Sequence, residues 1–230
     1  QEFKEYINFQ DEPVQTASAY YQYLLRKKIK EYGLKVLMVG EGADEVFGGY
    51  KRCLFYYLYS MNFKKNKSKN FISNAVSFMQ QDEQNIILNY NKFKNIIDGN
   101  KSDIENKTSR FFLKDKKVKN QFLEVPKNSK FFFKDALISH LTKRDLPYVL
   151  RMEDKNSMSQ GIEARVPFLD HELIEFVFKI KTKHFMDESE NKHILRSSFK
   201  NYFSNKVLNR KDKSARPGNN AYFIFNNFYE

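Results

Sequence analysis

The stretch VLMVGEGADEVFGGYKR, residues 36–52, sets Glu41, Asp44 and Glu45 among four glycines, in a chain whose formal charge is +12. Glycines let a backbone take positive φ and approach a ligand closely. Carboxylates in such a loop repel a bare phosphate. They suit a Mg²⁺–phosphate complex, a cationic amine, or a proton transfer. A plainer alternative is that Asp44 caps a helix and the glycines make an ordinary turn. The spacing is neither GxGxxG nor a Walker loop, because no Gly-Lys-Ser/Thr follows.

The elements around the loop are legible in outline. Residues 17–32 alternate apolar and basic positions at helical spacing, and Gly33 supplies the stop. Residues 36–39 are short, apolar and partly β-branched, as a buried parallel strand would be. A crevice at the carboxyl end of such a strand is a common ligand position. Helices are expected over 54–63 and within 71–97. A further helix is expected around Ala136, Leu137 and Leu141, with Pro147 either ending it or opening a new one. Pro167 marks a break before a helix containing Leu173, Ile174 and Val177, and residues 190–203 are amphipathic. The single strand needs partners, and these are expected from sequence upstream or from another chain.

Composition narrows the classes. The chain has 230 residues, of which 41% are hydrophobic, enough for a core. Its 40 basic and 28 acidic residues predict attraction to anions. The lysines at 64, 65, 67 and 69 and at 114, 116, 117 and 119 could face phosphates. No zinc finger, RNP or GXXG element accompanies them, so no nucleic acid is expected as a partner. Cys53 is the only cysteine, which excludes an intrachain disulfide and fits a reducing, cytoplasmic location. It reads as a buried helix residue. The four histidines lack metal-site spacing, and no apolar run reaches the length of a membrane span.

Two stretches together carry a resemblance. GEGADEVFGGY resembles the acidic glycine signature of asparagine synthetases, in their ATP-using C-terminal domain. SMSQGIEARVPFLDHELIEF, residues 157–176, is similar to a second signature of the same family. DEP at 11–13, Leu146-Pro147 and the K-x-x-L-R element at 192–196 occur in family order. The resemblance implies an α/β fold, the adenine nucleotide alpha hydrolase-like (PP-loop ATP pyrophosphatase) synthetase domain. The chain would hold mostly the helical C-terminal part of that domain, with a partial parallel sheet. One partial domain over 1–230 is expected, with 62–125 as a variable helical and polar insertion. The family's Ser-Gly-Gly-x-Asp-Ser nucleotide loop and its N-terminal glutaminase cysteine do not occur here, so the chain is expected to be N-terminally incomplete.

The resemblance also implies an activity. Family members activate the aspartate side chain with ATP and Mg²⁺, form β-aspartyl-AMP, and let ammonia derived from glutamine attack it. Aspartate is the default acceptor, and a carboxylate on a sugar or peptide also fits. Glu41 matches the catalytic acidic position, which orients or deprotonates the attacking ammonium. Asp44 is assigned to the Mg²⁺–pyrophosphate or substrate environment, with Gly40 and Gly42 giving close backbone approach. Arg165 could bind the substrate carboxylate, while Glu163 and Asp170 stand behind it or make a structural salt-bridge turn. In RKDKSARPG, residues 210–218, Lys213 takes the phosphate-binding role. Lys211 is the alternative register and Arg210 the support. Asp212 stands where the shorter spacing wants lysine, and Ser214-Ala215 replaces Gly-Phe. The implied partners are aspartate, ammonia or glutamine, and an upstream synthetase fragment or glutaminase domain; a homodimer is compatible. A non-catalytic remnant or interaction fragment is the alternative.

Overall fold

A computed structural model describes residues 2–12, 17–61, 69–98, 129–186 and 190–210. The described residues divide into two compact units, one from within 2–41 and 146–168 and the other from within 42–145 and 169–210.

In the first unit, α1 (Glu2–Gln10), α2 (Ala17–Glu31) and α8 (Asp145–Met158, from Leu146 onward) enclose an aromatic core. Tyr6, Tyr20, Tyr23 and Met152 are buried together. The Tyr6 and Tyr20 rings lie 5.1 Å apart and Phe3 meets Tyr20 edge-on, arrangements that suit the aromatic quadrupole. Helix α2 ends where expected, with Gly33 at φ 71° donating its N–H to the Lys30 carbonyl. Pro147 lies in a new helix, as the second alternative had it, but third in α8 rather than first; within that first turn its missing N–H costs nothing.

The strand expected at 36–39 forms as β1 (Val36–Met38), and its partner is β2 (Glu163–Arg165), from within the second signature. The two are parallel, with Val36 opposite Glu163 and Met38 opposite Arg165. The sequence reading placed no strand at 163–165, where charge rather than β-branching dominates. The burial expected for β1 is not met, since Val36 is 47% and Met38 70% exposed. Parallel strands are ordinarily covered on both faces. Here β1 and β2 each shelter their central residue, Leu37 and Ala164, better than the residues on either side.

The second unit is helical. Helices α4 (Lys51–Ser60), α5 (Lys69–Met79) and α6 (Glu83–Asp98) bury Leu54, Ile72, Phe78, Ile86 and Tyr90 against one another. Helix α7 (Phe132–Thr142) packs on α4 and on the short α3 (Ala43–Phe47), bringing the Phe133 ring edge-on to Tyr57 at 5.8 Å. Helix α9 (His171–Lys179) also contacts α3. The unit closes with α10 (His193–Ser198) and α11 (Asn205–Leu208). Within the expected insertion, α5 and α6 are described, while 62–68 and 99–128 lie outside the described residues. Cys53 is fully buried in α4.

Candidate active site

The acidic glycine loop begins where β1 ends. Gly40 is exposed and Glu41 half-buried, both in the first unit; Gly42 opens the second. Gly42 is the N-cap of α3 at φ 90°, and a Cβ there would come within 2.2 Å of the Leu169 side chain. Its lack of a side chain is therefore needed for backbone conformation and for packing against Leu169. At Gly40 a Cβ would meet nothing within 4 Å, so no contact among the described residues demands glycine there.

Asp44 is not the helix cap considered as an alternative, because Gly42 holds that position with no side-chain hydrogen bond. Lys192 Nζ instead meets the Asp44 carboxylate at 2.6 Å, with both side chains about three-quarters buried. This pair closes over Gly49. A Cβ at Gly49 would fall 1.9 Å from Asp44 Oδ1 and 2.1 Å from Lys192 Cε. The Gly49 N–H donates to the Asp44 carbonyl at 2.8 Å, and its own carbonyl accepts from Asn191 Nδ2 at 2.8 Å. Lys192 itself adopts φ 53°, an uncommon conformation for a residue with a side chain. The K-x-x-L-R element thus delivers Lys192 to the loop. Its Arg196 ties down the chain beyond, donating to the carbonyls of Leu208 and Arg210.

Among the described residues, no group of three His, Cys, Asp or Glu side chains gathers as a metal site. Asp44, the carboxylate expected near Mg²⁺–pyrophosphate, is paired with Lys192.

Glu45, which the sequence reading left without a role, is buried in α3 and accepts a hydrogen bond from Tyr50 Oη at 2.5 Å. Burial raises its pKa, and the Tyr50 bond opposes part of that rise. The Arg52 guanidinium lies 4.3 Å over the Tyr50 ring and pairs with Asp145. Asp145 is also bonded to His140 Nδ1, and His140 Nε2 meets Tyr56 Oη at 2.9 Å. Burial pushes the His140 pKa down. Burial pushes Asp145 up, but His140 and Arg52 outweigh it and hold the carboxyl below its usual range.

The second signature divides. Glu163 and Arg165 sit two apart on β2, so they share a face, and Arg165 Nε donates to Glu163 at 2.8 Å. This exposed pair lowers the Glu163 pKa and raises that of Arg165. Asp170 caps α9, its carboxylate accepting from the Leu173 N–H at 3.1 Å. Upstream, Asn156 and Ser157 are fully buried beside an ion pair between Arg26 and Glu153, which the sequence reading missed. Arg210 is exposed, while Lys211 and Lys213 lie outside the described residues.

Two parallel strands among many helices, with a glycine–acid loop leaving the carboxyl end of β1, fit the α/β domain of the PP-loop synthetase class that the family match gives. The chain belongs to the asparagine synthase family, whose model matches residues 1–227. It is 26% identical over 217 residues to asparagine synthetase [glutamine-hydrolyzing] 1 of Bacillus subtilis, covering 87% of this chain and 33% of the relative. Asparagine synthetase [glutamine-hydrolyzing] 3 of the same organism is 38% identical over 69 residues, covering 30% of this chain and 11% of the relative. A probable asparagine synthetase [glutamine-hydrolyzing] of Schizosaccharomyces pombe is 27% identical over 179 residues, covering 77% and 19%. The chain therefore spans a third or less of these relatives' lengths. No solved structure matches significantly. Among the described residues, no helix is long and apolar enough to cross a membrane.

Proposed function

We propose that the chain contributes to an ATP-dependent amidation of a carboxylate, with aspartate as acceptor and asparagine as product. The observation that carries this reading is the glycine–acid loop at the end of β1 in a chain of the asparagine synthase family. ATP converts the acceptor carboxylate into an acyl-adenylate, a mixed anhydride, as pyrophosphate leaves; an amine then attacks the acyl carbon and AMP departs. Glu41, half-buried at the strand end, takes a proton from the incoming ammonium and leaves ammonia with a free lone pair. Asp44 is held by Lys192, and its role is to fix the second half of the loop. Arg165 offers a planar donor pair to the acceptor carboxylate once it exchanges Glu163 for substrate. Lys213, or Lys211 in the other register, with Arg210, neutralises the departing pyrophosphate. The nitrogen comes from glutamine through a glutaminase domain or a partner chain. Cytoplasmic synthesis, where ATP is abundant, suits this chemistry.

The test separates activation from amidation. ATP–pyrophosphate exchange and asparagine formation are measured with aspartate, Mg²⁺ and ammonium, for the chain alone and with the protein encoded immediately upstream. Glu41→Gln is expected to leave exchange in place and lower asparagine formation by about 10²–10⁴-fold, the usual range for a general base. Absence of both reactions in both formats would support the non-catalytic remnant.

A further inference from the structure

Within the second unit, polar groups from α3, α4, α7 and the first residue of α8 form an unbroken line. It runs from Glu45 through Tyr50, Arg52 and Asp145 to His140 and Tyr56. We propose that Asp145 and His140 are positioning residues for the acidic loop, acting through Arg52 and Tyr50 on Glu45. The inference rests on the reading of that loop as part of an amidating site.

The backbone explains why the loop needs this support. Helix α3 is five residues long and is linked to Tyr50 only through Gly48, at φ 70°, and Gly49. Two consecutive glycines leave that link conformationally permissive. The angle between α3 and α4 is fixed by contacts outside that link: both helices pack on α7, Gly49 bonds to Asp44 and to Asn191, and the Tyr50–Glu45 hydrogen bond closes the short circuit directly. Tyr50 is in turn oriented by the Arg52 guanidinium stacked on its ring.

Arg52 is itself held at few points. Among the described residues its buried Nε meets no hydrogen-bond partner, so its orientation depends on the Tyr50 face and on Asp145. Asp145 is bonded to both Arg52 and His140 through the same carboxylate oxygen. An ionised carboxylate at Nδ1 requires the proton to sit there, which leaves Nε2 to accept from Tyr56 Oη. His140, 1% exposed, thus anchors Asp145 through a neutral ring, without a further positive charge beside Arg52 and Arg144. An ion pair of this kind adds little net stability over an apolar replacement. Its value lies in direction: it aims Arg52 at the tyrosine that holds Glu45.

The experiment combines amide hydrogen exchange with turnover, in the full chain and with the upstream-encoded protein where turnover requires it. Asp145→Asn is expected to raise exchange of the α3 amides, Val46 and Phe47 among them, by about tenfold, while the α5 and α6 amides stay within about threefold. Tyr50→Phe, which removes one hydroxyl, is expected to act in the same direction by a smaller factor. It decides the matter should Asp145→Asn fail to fold. Asparagine formation should fall in kcat with the KM for ATP unchanged, since no contact to nucleotide is lost. Equal acceleration in α3 and in α5–α6 would make Asp145 a general stabiliser and overturn the proposal, as would unchanged α3 exchange in both variants. A selective α3 response in a protein that forms no asparagine would uphold the positioning and sink the amidation reading instead.

Discussion

Each unit contains an arginine–carboxylate pair, and the two pairs differ in what surrounds them. In the first unit, Arg26 and Glu153 are 5% and 2% exposed. Gln22 and Ser157 donate to the Glu153 carboxylate, and Asn156 continues the ladder to Gln10. In the second unit, Arg52 and Asp145 are only about two-thirds buried, and their contacts lead to His140 on one side and to the loop through Tyr50 on the other. Enclosure makes the first pair a structural bolt, tied into the ladder of Gln22, Ser157 and Asn156. Partial exposure and a route to the loop let the second pair govern the orientation of side chains beside the candidate site.

The comparison breaks most visibly at Glu153. Glu153→Ala leaves Arg26 charged and buried without its partner, and should destabilise the chain by about 3–5 kcal/mol in urea unfolding. Arg26→Met combined with Glu153→Leu should recover most of that loss, because two apolar side chains have no desolvation cost to offset. Failure of the double variant to recover would mean that the amide ladder, not the charge pair, holds α2 to α8.

Gly49→Ala tests the loop side of the comparison. The added methyl would overlap both Asp44 Oδ1 and Lys192 Cε, so the ion pair must open or the backbone shift. A loss of about 1–3 kcal/mol is expected, as for other overpacked sites, together with loss of asparagine formation. Thermal unfolding and turnover on the same sample check both. Retained activity at reduced stability would separate the Asp44–Lys192 pair from the chemistry.

The smallest expected effect sharpens the contrast through pH. His140 is held neutral by burial, with a folded pKa below its ordinary 6.5. The unfolded state therefore binds the extra proton first as pH falls. Stability is full above 6.5 and declines below it, by at most about 1.4 kcal/mol per pH unit, until the folded ring also titrates. His140→Gln should flatten the stability curve between pH 6.5 and the folded value relative to the wild type. Asp145 acts lower, its contribution being lost as pH falls below the ordinary 3.8 through its depressed folded value. Parallel curves for the wild type and His140→Gln in the upper window would show that the buried histidine does not titrate on unfolding.

Local features were legible from local patterns. Helix α2 and its stop at Gly33, the strand at Val36, the break at Pro167 and the burial of Cys53 each follow from a few adjacent residues. Strand β2 was not legible, because Glu-Ala-Arg has no β-branched or alternating apolar signal and forms a strand only by pairing with β1. The same limit applies to the site. Glu41, Asp44 and the glycines stood out by type and spacing. That Lys192 holds Asp44, that Gly42 is required by Leu169, and that Glu45 rather than Asp44 is the deeply buried carboxylate did not.

The sequence by itself determined the family, the order of its signatures and the local elements beside the acidic loop, since these depend on residue type and on neighbours within a turn or two. Only the tertiary structure decided the distant polar partners. Arg26 meets Glu153 across 127 residues of chain, Asn191 meets Gly49 across 142, and Arg52 meets Asp145 across 93. Periodicity reports which face of an element is buried. Which opposite charge lies across that face is set by how the helices pack.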